Sequence, residues 1–125
     1  MKYLLFIALG GASGAVSRYV LSNWIHARWE GHFPLATLLV NVVGSFAIGI
    51  VYVLLVEREF IHTDWRSFIM VGFLGAFTTF STFSLETILL FEAGNTLEAL
   101  GYMLASAVVC VMMAGLAIHF TRLLV

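Results

Sequence analysis

The chain has 125 residues, 62% of them hydrophobic and 10% charged, with six Lys and Arg against seven Asp and Glu for a formal charge of −1. A soluble domain carries about a quarter charged residues and just under half apolar ones, so this chain lacks the polar surface that water requires and is expected in a bilayer. Near-neutrality removes the basic face needed to bind a nucleic acid, and the lone Cys110, with no Cys/His/Asp/Glu group at metal-ligand spacing, removes disulfide scaffolds and zinc sites.

A spanning helix takes about 20 mainly apolar residues, and charge clusters divide the chain into four such stretches, at about 3–25, 35–56, 66–91 and 99–123. The expected fold is therefore all-α: a single integral membrane domain over residues 1–125, with four transmembrane helices. The connections are short and hold most of the remaining charge, which leaves no extramembrane domain. Lys2, Arg58, Arg66 and Arg122 fall on the side of both termini and Arg28, with Arg18, on the other. That excess favours termini inside, and its small size leaves insertion in both orientations open.

The first stretch opens on Met1-Lys2 and an apolar run with the outline of a signal peptide. Gly10, Gly11, Gly14 and Arg18 are instead patterned for helix packing, which favours a retained span. Gly10 and Gly14 form a G-x-x-x-G, and Ser45 and Gly49 in the second stretch form a similar small pair. Because many polar groups would face lipid in a single copy, an oligomer is expected. Arg18 is either a snorkelling side chain or a positive group at the mouth of an anion pathway.

Ionisable and polar groups inside a span are costly, so each is a functional candidate. Asn41 lies in the middle of the uncharged second stretch, with Thr37 one turn earlier on the same face. The plain alternative for Asn41 is an interhelical hydrogen bond. The third stretch contains Gly72-Phe73-Leu74-Gly75-Ala76-Phe77-Thr78-Thr79-Phe80-Ser81-Thr82-Phe83-Ser84. Two glycines and a run of hydroxyl and β-branched residues weaken a regular helix. A break in mid-membrane would free carbonyls able to coordinate a cation; the alternative is a continuous helix whose hydroxyls bond back to it. Phe77, Phe80 and Phe83 share a face, and ring edges are electropositive, so a small anion passing them meets attraction without a fixed charge to trap it. Glu86 lies two turns beyond Thr79, and in the fourth stretch Tyr102, Ser106 and Cys110 form a second polar stripe.

Gly11-Ala12-Ser13-Gly14 matches the short G-x-S-G of rhomboid proteases, with His119 as an imaginable base, but the chain has too few spans and lacks that family's other polar motif. Three segments in order, residues 10–19, residues 37–46 with Gly49, and residues 72–83, resemble the Fluc (CrcB-type) fluoride channels over the whole chain. The resemblance implies an antiparallel dual-topology homodimer with two pores, passing fluoride passively out of the cytoplasm across the bacterial inner membrane. By the same resemblance, Phe80 and Phe83 line the pore and Asn41 orients them and donates to fluoride. Thr37, Ser81, Thr82 and Tyr102 form a polar track, with Glu86 near its end and Ser106 beyond Tyr102, and Arg18 sits in the vestibule. Backbone carbonyls of Gly75 and Thr78 from both subunits would hold a central structural Na+. Cys110 stands where a small hydroxyl residue is expected and is left out of that set. The competing readings are a four-span small multidrug transporter, whose first-span acidic residue is missing here, and a non-transporting assembly subunit.

Overall fold

In the computed structural model, which describes residues 1–125, the chain is helical throughout and contains no strand. Four helical spans, Lys2–His26, Leu35–Glu57, Thr63–Glu92 and Thr96–Leu124, are each long and apolar enough to cross a bilayer. Only residues 27–34, 58–62 and 93–95 connect them. The third and fourth spans start at 63 and 96 rather than 66 and 99, because polar residues complete their first turns. His62 Nδ1 accepts the Asp64 N–H at 3.4 Å, and the Asp64 and Glu98 carboxylates lie at helix N-termini, where the helix dipole favours them.

Helix ends are set by local chemistry. Pro34, with φ −76°, precedes the second span and supplies a backbone angle already suited to a helix start. The third span is closed by Gly94 at φ +82°, a left-handed conformation that glycine adopts without strain. The Asn95 N–H then reaches the Leu90 carbonyl at 2.9 Å and the Gly94 N–H the Phe91 carbonyl at 3.1 Å, satisfying two carbonyls that the helix leaves over.

The first span packs on the third by direct backbone approach. A Cβ on Gly72 would lie 2.7 Å from the Ile7 carbonyl oxygen and 2.9 Å from Gly10 Cα, and one on Gly14 would collide with Phe73. The second span meets the fourth at Gly49, where a Cβ would stand 2.6 Å from the Ala114 oxygen and 2.7 Å from Ala117 Cβ. Gly10, Gly14 and Gly49 therefore serve contacts within one chain, the helix packing that their spacing indicates. The first span is thereby built into the bundle.

Only 22 of 125 residues are buried, and large apolar side chains such as Leu9, Val16, Val71, Leu104 and Val111 are exposed around the bundle. Hydrocarbon, unlike water, makes such exposure cost-free, so composition and surface together describe a multi-pass membrane protein. At the end of the bundle that holds both termini, Lys2 Nζ lies 3.2 Å from Asp64 Oδ2 and Arg122 pairs with Glu57. Exposed pairs of this kind contribute about 0–1 kcal/mol each and tie helix ends together.

Candidate functional site

The third span is two helical pieces joined by extended backbone. Thr78 has φ −80°, ψ 156° and Thr79 φ −150°, ψ 114°, between helix ending at Phe77 and helix resuming at Phe80. Extended residues leave the Thr79 N–H without a helical acceptor, and Asn41 on the second span supplies one and meets the Thr79 carbonyl as well. Asn41 Oδ1 accepts the Thr79 N–H at 2.8 Å, while Asn41 Nδ2 donates to the Thr79 carbonyl at 3.0 Å. One side-chain amide thus grips the main-chain N–H and carbonyl of one residue. Gly44, one turn along, lacks the Cβ that would strike Thr78 Cγ2 and so lets the interruption lie against the second span.

The following helix is restarted by Thr79 itself. Its Oγ1 accepts the Thr82 N–H at 3.2 Å and donates to Thr82 Oγ1 at 3.0 Å, with Ser81 Oγ 3.5 Å away. The interruption releases the carbonyls of residues 75–78 from their helical donors, and two of these donors are accounted for by the clasp. In an uninterrupted helix the Thr79 N–H would bond the Gly75 carbonyl and the Thr82 N–H the Thr78 carbonyl; here the first goes to Asn41 and the second to Thr79 Oγ1. The Gly75 and Thr78 carbonyls named for a cation are among those left without their helical donors.

Two cavities flank this clasp, and Thr79 lines both. One is a groove of about 450 Å³ lined by Asn41, Thr78, Phe80, Phe83, Ser106 and Cys110 among others, with Gly75 also on its wall and no charged residue. The other is a crevice of about 360 Å³ whose wall includes Arg18, His26, Thr37, Thr82 and Glu86. Arg18 makes no ion pair, and the Thr37 hydroxyl donates to Glu86 Oε1 at 2.5 Å. Phe80 is 80% exposed, its ring 5.3 Å from that of Phe83. The groove is therefore open along the side of a single chain.

The structure brings most of the sequence candidates to these two spaces and leaves two outside them. Tyr102 is fully buried between Phe33 and Phe83, with ring centroids 5.5 and 5.0 Å away and its hydroxyl unpartnered. Ser81 is on the exposed side of the restarted helix and touches the clasp only through Thr79. The Ser106 hydroxyl is also buried without a partner. Thr79 was not among the sequence candidates, although a Thr three residues before another hydroxyl residue is a helix-start pattern. Cys110, set aside earlier, lines the groove. The protease alternative finds no geometry: the Ser13 hydroxyl donates to the Leu9 and Gly10 carbonyls of its own helix at 3.0 and 2.9 Å, and His119 lies against Phe120.

Residues 5–118 match the family described as CrcB-like protein, Camphor Resistance (CrcB). A protein of Hahella chejuensis named fluoride-specific ion channel FluC is 46% identical over 124 residues, covering 99% of this chain and 98% of the relative. Proteins of the same name from Saccharophagus degradans and Magnetococcus marinus are each 48% identical over 122 residues, covering 97% of this chain and 90% and 98% of the relatives. These names are those of ion channels and not of enzymes, and with a match extending over nearly all of its four spans the chain belongs to the CrcB family.

Proposed function

We propose that this protein is a fluoride-selective passive channel that releases fluoride from the cytoplasm down its electrochemical gradient, lowering fluoride toxicity. The observation that carries the reading is the polar route at the Asn41–Thr79 clasp: a crevice holding the unpaired Arg18, a hydroxyl and amide constriction, then an uncharged groove edged by two phenylalanines. Relatives bearing the fluoride-channel name support the choice of ion.

Each part of the route has a task. Fluoride is small and strongly hydrated, so it enters only where donors replace its water. Arg18 concentrates the anion in the crevice, and the hydroxyls of Thr82 and Ser106, with the second hydrogen of the Asn41 amide, supply donors along the track, while Ser81 and Tyr102 stand behind it. Glu86 accepts the hydrogen bond of the Thr37 hydroxyl and fixes its direction. Phe80 and Phe83 present ring edges that stabilise an anion weakly. With no fixed cation in the groove, binding stays loose enough for exit.

The working unit is an antiparallel dual-topology homodimer with two pores, in the bacterial inner membrane. A second copy covers Phe80 and closes the open side of the groove, placing the interruption at mid-membrane depth. The Gly75 and Thr78 carbonyls, freed of helical donors, suit a hard cation. Paired with the same carbonyls of the second copy they would hold a structural Na+, which supplies fixed positive charge between the two broken helices.

The test is fluoride efflux from liposomes containing the purified protein, read with a fluoride electrode after valinomycin, with chloride as control. Rapid fluoride release without chloride release is the expected result. A folded dimer that releases no fluoride would overturn the proposal.

A further inference from the structure

We propose that His26 is the titratable half of the anion-capturing crevice, so that protonating it accelerates fluoride entry. This rests on the channel reading above. Arg18, Ser22 and His26 recur every four residues on the first span and all three line the crevice, which continues to Thr37 of the second span and to Thr82 and Glu86 of the third. His26 occupies the last turn of its helix, the end where the dipole favours a cation.

The charge balance of this space decides its effect on an anion. Its wall carries Arg18 and Glu86, whose formal charges cancel, together with Tyr19 and His26; the second span contributes only Thr37 and Val40. The Arg28 guanidinium is turned aside, 4.1 Å above the Trp24 ring and donating to the Trp24 carbonyl at 3.1 Å. Glu30 and His32 lie in the exposed loop that follows. With Glu86 ionised and the imidazole neutral the formal charges cancel, and a proton on either His26 or Glu86 leaves a net positive charge, so the His26 variants below separate the two. Histidine makes that change between about pH 5 and 8. A unit charge about 7 Å from an ion in a watery crevice raises the ion's local concentration about threefold.

The experiment is the initial rate of fluoride efflux from liposomes between about pH 5.5 and 8, with the rate from protein-free liposomes subtracted to remove passage of neutral HF. The wild-type rate is expected to rise about threefold on acidification. His26→Gln should lose that rise, His26→Lys should hold the higher rate across the range, and His32→Gln should retain the wild-type response. A wild-type rate that conducts but is indifferent to pH, or a His26→Gln protein that keeps the rise, overturns the role of His26 and leaves the channel intact. Absence of fluoride release at every pH overturns both readings together.

Discussion

Removing the Asn41 amide is the perturbation with the clearest structural arithmetic. In Asn41→Ala the Thr79 N–H loses an acceptor at 2.8 Å and its carbonyl a donor at 3.0 Å, and Thr79 is only 8% exposed. The Thr79 carbonyl keeps its place as first acceptor of the restarted helix, so the unpaired group is the N–H. Leaving a buried polar group unpaired costs about 1–3 kcal/mol, and at about 1.4 kcal/mol per factor of ten the lower bound already weighs about fivefold against the clasped state. Fluoride efflux should therefore fall by at least about fivefold while gel filtration still shows an assembled dimer. Asn41→Asp separates the two bonds, because an ionised carboxylate keeps the acceptor and loses the donor, setting an oxygen against the Thr79 carbonyl. It should be nearly as impaired. An Asn41→Ala protein with wild-type fluoride flux would refute the reasoning, since the interruption would then hold its shape without the clasp.

Phe80→Ile should suppress fluoride flux without loosening the fold, because a side chain that is 80% exposed in one chain contributes little to that chain's packing; unchanged flux would remove its ring from the pathway. Glu86→Gln should alter fluoride flux without abolishing it, since the amide oxygen still accepts from Thr37; complete loss, together with proton-coupled cation transport by the wild type, would favour the multidrug-transporter reading. Gly72→Ala drives a Cβ to 2.7 Å from the Ile7 oxygen, a backbone contact that cannot rotate away. It should cost about 1–3 kcal/mol, seen as a lower thermal midpoint in detergent, and an unchanged midpoint would show that the two helices can separate freely. Replacing Na+ by a larger cation should weaken the assembled dimer or its conduction, and indifference of both would argue against a central ion.

The four helices were legible because charge clusters bound each apolar stretch, and hydrocarbon requires the backbone to close its own hydrogen bonds. The span ends were less so: Thr63 and Thr96 open helices in polar sequence, where capping and the dipole compensate for low hydropathy. The weakness of helix around Thr78 and Thr79 could be read from their neighbours. That Asn41 would hold the main chain of this one residue could not, because nothing in a single sequence states which residue faces another 38 positions away. Thr79 was overlooked for a related reason, since its function is carried by its main chain and any residue type has one. The small-residue pairs announced close approach without naming the partner, because contact within a chain and between chains uses the same residues. Arg18 and His26 share a face by helical periodicity alone, whereas their position opposite Glu86 depends on tertiary packing.

Selectivity in a membrane of known composition tests the central claim most directly. With purified protein in a planar bilayer, fluoride at unequal concentrations on the two sides and chloride added to both, the current should reverse at the potential set by the fluoride gradient and should stay there when the chloride concentration on one side is changed. A reversal potential that follows chloride, or that follows protons or cations instead, would contradict the assignment of the Asn41–Thr79 route to fluoride.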